Sequence, residues 1–243
     1  MTTLSFPKNF SKRPLETITR LKEPKWDFDG SGAYYKLGEG YGIRAKVDPF
    51  PAYSHDEVYT WGLLSTLKVQ IPVDIYILEH ELESRVNGWS DVQYNWDDKG
   101  HIEDQSHIIC LSGKRTPIPQ SMQYYITAHE YGHAVENFLV EKTKNENFRV
   151  EYAKMRGVDL REHYGGRSWI NAPGEVLADD FRILVAGQHT TYWPHDKVLP
   201  PWNNDHLIDW WAEKENDIKQ ITRDISRGDT TSNSERETSS EEN

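Results

Sequence analysis

The sequence predicts an α+β domain in which a small sheet packs against one long helix, with further helices towards the C-terminus. Two short segments rich in apolar and β-branched residues, 73–78 and 106–111, have the composition of buried strands. The stretch 119–142 is the longest helical pattern, and Pro119 suits its first turn. At 243 residues the chain is near the upper size for one hydrophobic core, so one main domain is expected. Two more helical patterns follow the long one, at 173–186 and 205–225.

The regions around this core differ in composition, which sets the expected boundaries. Residues 1–30 are polar and contain three prolines, so we expect an extended arm that lies over the domain. Apolar and polar residues alternate over 33–47, as in a hairpin, and a capping-box pattern predicts a helix over 55–68. The stretch 226–243 has no hydrophobic residue, so this acidic tail is expected to be disordered. The main domain is therefore expected over 31–225.

Composition and charge exclude several classes of function. Asp and Glu outnumber Lys and Arg by 39 to 28, and a net charge of −11 disfavours nucleic acid as a partner. The single cysteine, Cys110, excludes an intramolecular disulfide and a cysteine-rich zinc cluster. No stretch of about eighteen apolar residues occurs, and Met1–Glu16 lacks the apolar segment of a signal peptide. We therefore expect no membrane span and a cytoplasmic location.

The feature with the clearest chemistry is an H-E-x-x-H motif in the long predicted helix, formed by His129, Glu130 and His133. Residues four apart share one face of a helix, so both imidazoles can reach one metal ion. Glu130 is rotated by about 100° from His129, which suits a general base beside the metal and not a ligand. Random placement of the histidines and glutamates of this chain would give roughly 0.035 such motifs, so we interpret this one as a zinc site.

Two histidines leave zinc one protein ligand short of a catalytic site. The residue at the position where an extended motif would carry a third histidine is Leu139. Glu175, near the start of the next predicted helix, can supply a carboxylate instead. Asp179, one turn later, can accept the ring N–H of a ligating histidine. Two other acidic residues stay open as the third ligand, Glu136 and Glu151.

Together, H-E-x-x-H and a downstream helical G-E-x-x-A-D resemble the gluzincin branch of the zincin metallopeptidases. The resemblance covers about residues 50–190 and is carried by these two motifs. It implies a zincin-like fold and a zinc-dependent endopeptidase that hydrolyses a peptide or protein substrate. Glu130 would be the general base, and Asp179 would support a ligand from behind. The Zn²⁺ ligands that the resemblance implies are His129, His133 and Glu175.

The wide spacing between the motifs is similar to that of lethal-factor-type and Pro-Pro-cleaving peptidases. Those relatives carry a transition-state tyrosine about two turns before the third ligand, where this chain has Ser168 and Trp169. The nearest candidates for that role are His163 and Tyr164. In zincins the edge strand that precedes the active-site helix pairs with extended substrate, and Ser106–Leu111 is expected to be that strand.

Other interpretations of the same residues stay open at this point. A catalytically silent zincin-like protein would bind a partner and use zinc structurally or not at all, which an acidic chain suits. Cys110–Ser112 resembles the C-L-S segment of peptide deformylases, although the glycine-rich loop of that family is absent. Glu130 and His133 match half of a di-iron site, but the sequence has no second E-x-x-H. Neither substrate specificity nor oligomeric state follows from the sequence.

Overall fold

The computed structural model describes residues 2–4, 16–22, 25–27, 32–38, 41–43, 47–82, 86–96, 102–145, 147–160, 169–188 and 192–227. Within these ranges the chain combines five α-helices with one five-stranded sheet and two smaller sheets. This mixture of helices and small sheets agrees with the α+β class predicted from the sequence.

The large sheet has the strand order β1-β2-β7-β10-β9. Strands β2, β7 and β10 run parallel, whereas β1 and β9 are antiparallel to their neighbours. The second sheet contains β3, β4 and β5, and the third contains β6 and β8. The strands are β1 (Thr2–Leu4), β2 (Glu16–Leu21), β3 (Lys25–Asp27), β4 (Gly32–Gly38), β5 (Tyr41–Ile43), β6 (Val47–Pro51), β7 (Val73–Leu78), β8 (His80–Leu82), β9 (Gly88–Trp96) and β10 (Ile102–Leu111).

The long predicted helix is present as one continuous element, and the two later helical patterns are present as well. The helix predicted over 55–68 is shorter at both ends. It begins after Asp56, whose carboxylate accepts hydrogen bonds from the backbone N–H groups of Val58 and Tyr59 at 2.8 and 3.1 Å. The helices are α1 (Glu57–Leu64), α2 (Gln120–Thr143), α3 (Phe148–Arg156), α4 (Pro173–Leu184) and α5 (Asp205–Arg227).

Helix α2 packs along one face of the large sheet, and this contact forms the main hydrophobic core. Ile75 and Ile109 of the sheet and Val135 of the helix are all fully buried. Helix α4 covers another side of α2, where the rings of Tyr131 and Phe181 stack with centroids 5.9 Å apart. The middle of α2 is therefore shielded from solvent, so polar side chains there need partners within the protein.

Part of the predicted N-terminal arm, residues 1–30, is instead an interior strand. Strand β2 lies between β1 and β7, pairs with β7 over its whole length, and buries Ile18. The three prolines that indicated an arm lie outside β2. The strand itself contains the β-branched residues Thr17, Ile18 and Thr19, which favour an extended backbone.

The strand expected to offer an edge to substrate, Ser106–Leu111, is also interior. It is the second half of β10, which pairs with β7 on one side and with β9 on the other. Among the described strands, β9 forms the edge of the large sheet on this side. Its sequence mixes polar residues with isolated aromatic and aliphatic ones, as suits a half-exposed edge, and it lacks the apolar run that predicts a buried strand.

The C-terminal tail predicted over 226–243 contributes its first two residues to α5, which ends at Arg227. Residues 228–243 lie outside the described part of the chain, and so does the prediction that they are disordered. None of the described helices combines the length and the apolar composition that a membrane span needs.

His55 is expected to make the free energy of unfolding depend on pH. Its ring is fully buried, and neither ring nitrogen has a hydrogen-bond partner in the described part of the chain. Burial, and then the charge of Lys114, lower the pKa of His55 from 6.5 to about 4. Between these values only the unfolded chain binds the proton. The free energy of unfolding should therefore fall by about 3 kcal/mol from pH 7 to pH 4 through this group.

Chemical denaturation of the wild type and of His55→Phe at both pH values, followed by circular dichroism, measures this contribution. The variant lacks the titrating group, so the wild type should lose about 3 kcal/mol more than the variant on acidification. An equal pH dependence in the two proteins would contradict the assignment.

Candidate metal centre

Three side chains from two helices converge at one point. His129 and His133 lie one turn apart on α2, with ring centroids 4.9 Å apart, and Glu175 lies in the first turn of α4. Nε2 of His129 is 3.2 Å from Oε2 of Glu175, and Nε2 of His133 is 3.5 Å from Oε1. One donor atom from each of the three residues lies within 4.8 Å of the other two. The structure thus brings together the three ligands expected from the sequence.

The spacing of these atoms fits a zinc ion. Ligand atoms at about 2.0–2.1 Å from a tetrahedral zinc lie roughly 3.3–3.4 Å from each other. The two nitrogen–oxygen distances, 3.2 and 3.5 Å, end on different oxygens of the Glu175 carboxylate, and each is close to this value. Two imidazoles and one carboxylate also form a donor set that catalytic zinc sites use, with a further position left for water or substrate.

Behind His129 stands the buried carboxylate of Asp179. Nδ1 of His129 is 3.0 Å from Oδ1, and the same oxygen accepts a hydrogen bond from Nε of Arg182 at 2.8 Å. Burial disfavours the charge on Asp179, but hydrogen bonds from His129 and His195 outweigh it and lower its pKa. Because an ionised carboxylate only accepts hydrogen bonds, Nδ1 of His129 carries the proton and Nε2 is left to bind a metal ion.

Glu136 stands behind His133 in a similar way. Its Oε2 is 4.0 Å from Nδ1 of His133, on the side of the ring that faces away from Glu175. Its other oxygen accepts a hydrogen bond from Nε of Arg149 at 2.6 Å. Glu136 is therefore placed to orient His133 and not to be a third ligand. The other alternative ligand, Glu151, is exposed on α3 and lies outside the cluster.

The histidines and Glu175 shift each other's pKa values in opposite directions. Burial opposes the charge on both imidazoles, but hydrogen bonds to carboxylates prevail and raise the pKa of His129 to about 9 and that of His133 to about 10. Burial likewise opposes the charge on Glu175, yet hydrogen bonds from the two histidines lower its pKa to about 2. A metal ion that binds here therefore competes with protons for the Nε2 atoms.

Glu130 lies against the edge strand of the sheet. The side chain is buried, and burial raises the pKa of its carboxyl group. The charges of the two histidines lower this pKa and the charge of Glu175 raises it, and the net effect is a raised pKa. A Cβ atom added to Gly88 on β9 would lie 2.6 Å from Cγ of Glu130 and 2.7 Å from its Oε1. The carboxylate thus fills the space that a side chain at position 88 would take.

The distance between α2 and α4 depends on Gly132, inside the H-E-x-x-H motif. A Cβ atom at this position would lie 2.8 Å from Cα of Ala178 and 2.9 Å from its carbonyl oxygen. Only glycine leaves room for so close a crossing of the two backbones. The close crossing in turn lets Glu175 reach the two histidines.

Three residues around the centre were missing from the sequence interpretation. The ring of Tyr125 stacks nearly parallel to that of His129, with centroids 6.2 Å apart, and the guanidinium of Arg182 lies 4.3 Å from the centre of the Tyr125 ring. Both residues lie about one helical turn from a predicted site residue, so helical spacing could have indicated them. The third, His195, comes from a distant segment that no pattern connects to the motif.

The candidates for a transition-state residue, His163 and Tyr164, lie outside the described residues, as does Ser168. Comparisons of the chain with protein families, with curated proteins and with solved structures found no match.

Replacing Gly132 with Ala should reduce the free energy of unfolding. The added methyl group would meet backbone atoms of Ala178, which cannot move without shifting α4. Overpacking of this kind costs about 1–3 kcal/mol, against a gain of about 1 kcal/mol because Ala favours the helix more than Gly. Urea denaturation of the purified protein measures the balance.

Gly62→Ala is the matched control, because Gly62 lies within α1 and its added Cβ would be an ordinary 3.6 Å from Oη of Tyr124. This variant should be as stable as the wild type or more stable by up to about 1 kcal/mol. A Gly132→Ala variant that is stabilised as much as the control would contradict the close crossing.

Proposed function

We propose that the protein is a zinc-dependent metallopeptidase, an endopeptidase that hydrolyses a peptide bond within a peptide or protein substrate. The observation that carries the proposal is the approach of both histidine Nε2 atoms to the carboxylate of Glu175, with Glu130 buried beside them. A structural zinc site has four protein ligands, whereas this cluster offers three ligands and an adjacent base. That combination favours catalysis over a structural role.

One group of residues would hold the ion, and Glu130 would move a proton. His129, His133 and Glu175 would hold zinc, and Asp179 and Glu136 would keep the two rings in place. A bound zinc ion supplies Lewis acidity, which makes a water molecule more acidic and a carbonyl group more electrophilic.

Glu130 would act as the general base. Its carboxylate is held beside the ligands, and its raised pKa brings proton transfer closer to neutral pH. Glu130 takes one proton from the attacking water as the new C–O bond forms. It returns that proton to the amide nitrogen as the C–N bond breaks, which leaves a carboxyl product and an amine product.

Strand β9 offers a way to hold the substrate. Among the described strands it pairs only with β10, so its other edge can accept an extended peptide by strand addition. Gly88, at the start of β9, lies directly against Glu130, which would bring a peptide bound at this edge close to the base. Strand addition recognises backbone and not chain ends, which suits an endopeptidase. An edge strand beside the ligand-bearing helix is compatible with a zincin-like fold of the gluzincin type.

The alternative is a catalytically silent zincin-like protein that binds a partner. Burying the Glu130 carboxylate is energetically unfavourable, since burial raises its pKa, and a protein that only binds a partner has no use for such a group. This observation favours the enzyme.

Replacing Glu130 with Gln should abolish most hydrolysis and preserve zinc. The amide has nearly the same shape but cannot accept the proton, so the hydrolysis rate should fall by about 10²–10⁴-fold. A fluorescence-quenched peptide library measures hydrolysis, and mass spectrometry measures zinc per chain. If the wild type carries zinc but hydrolyses no peptide faster than Glu130→Gln does, the result would favour the catalytically silent, partner-binding protein.

Replacing Glu175 with Ala should remove most of the zinc, because only two protein ligands would be left. Glu151→Ala is the matched control, since it removes an exposed acid from α3 that lies outside the cluster. We expect about one zinc per chain in the wild type and in this control. Full zinc retention by Glu175→Ala would show that the third ligand is a different residue.

A further inference from the structure

The carboxylate of Asp179 has a third partner besides His129 and Arg182. Its Oδ2 lies 2.9 Å from Nε2 of His195, a buried residue of the segment 192–198 that follows α4. The other ring nitrogen, Nδ1, hydrogen-bonds with the backbone carbonyl oxygen of Ile170. The ring of His195 is thus held between α4 and the 3-10 turn Trp169–Asn171.

The segment that carries His195 is itself fastened to the domain. Within the segment, Nε1 of Trp193 donates a hydrogen bond to the carbonyl oxygen of Val198 at 2.6 Å, and the centroids of the Trp193 and His195 rings are 4.5 Å apart. Nδ2 of Asn171 donates to Asp196 at 2.8 Å. With contacts on both sides, His195 has little freedom to leave Asp179.

Arg182 competes for the same carboxylate. Its Nε donates a hydrogen bond to Oδ1 of Asp179, while its buried Nη2 has no hydrogen-bond partner in the described part of the chain. Guanidinium groups bind carboxylates best through two parallel hydrogen bonds. Without His195, Oδ2 would be released, and Asp179 could rotate to meet both nitrogens of Arg182. Such a rotation would take Oδ1 away from Nδ1 of His129.

We propose that His195 is a positioning residue of the metal centre. By holding Oδ2 of Asp179, it prevents that carboxylate from pairing with Arg182 through both oxygens and keeps Oδ1 on His129. His129 then presents Nε2 in a fixed direction towards Glu175. This inference rests on the proposed zinc site, and its test separates the two.

The test is the zinc affinity of purified full-length variants, measured by competition with a zinc-binding dye. His195→Phe keeps a ring but removes both nitrogens, so it should free Asp179 from His129. Losing a partner that hydrogen-bonds directly to a metal ligand, as Asp179 does, costs about 10–100-fold in metal affinity. We expect a loss of that size in His195→Phe and a smaller loss in His195→Gln, which keeps one N–H for Asp179. The absorption spectrum of bound Co²⁺ should also change in His195→Phe, because His129 would be reoriented.

His107→Phe is the matched control. His107 is equally buried, and its Nε2 faces Oε2 of Glu141 at 3.0 Å, but this pair has no contact with the three ligands. Its zinc affinity and Co²⁺ spectrum should match those of the wild type. If His195→Phe does not fold, His195→Gln is compared with His107→Gln, and only the former should bind zinc more weakly.

Two results would overturn the inference while the zinc site stands. One is wild-type affinity in His195→Phe, and the other is an equal loss in the variants of His195 and of His107, which would indicate a general effect on stability. Zinc binding by the wild type is measured first. If the wild type binds no zinc, both the proposed function and this inference are overturned.

Discussion

The centre depends on two helices that cross closely enough for a carboxylate of one to meet two imidazoles of the other. Helix α2 supplies His129 and His133 from one face, and α4 supplies Glu175 from its first turn. At the crossing, the absence of a side chain on Gly132 lets the backbone of Ala178 approach. A similar absence on Gly88 admits the carboxylate of Glu130 beside the sheet edge. Space at two glycines therefore sets the geometry of the whole site.

Charge sets the orientation of the two histidine rings within that space. Each imidazole faces a buried carboxylate, and each carboxylate is paired with an arginine: Asp179 with Arg182, and Glu136 with Arg149. Burying a carboxylate without a partner would destabilise the fold by several kcal/mol. The ion pairs with the two arginines offset this penalty. Because the carboxylates stay ionised, Asp179 accepts the Nδ1 proton of His129, and the charge of Glu136 faces Nδ1 of His133 at 4.0 Å, so both Nε2 atoms point towards Glu175.

Helical spacing made most of this centre predictable from the sequence. His133 follows His129 by one turn, and Asp179 follows Glu175 in the same way, so each pair shares a helix face. The closeness of α2 and α4 and the role of His195 depend on tertiary packing between distant segments, which spacing does not encode. The edge strand β9 and the interior strand β2 were missed for another reason. Their residues are mixed in polarity, and only pairing within the sheet shows which side is buried.

The most direct test of the proposed zinc centre is anomalous diffraction at the zinc absorption edge from crystals of the zinc-loaded protein. We expect one strong peak between α2 and α4, bonded to Nε2 of His129, Nε2 of His133 and the carboxylate of Glu175. Glu130 should lie beside the ion without binding it. A peak elsewhere, or zinc bonded to Glu130 in place of Glu175, would contradict the assignment of ligands and base.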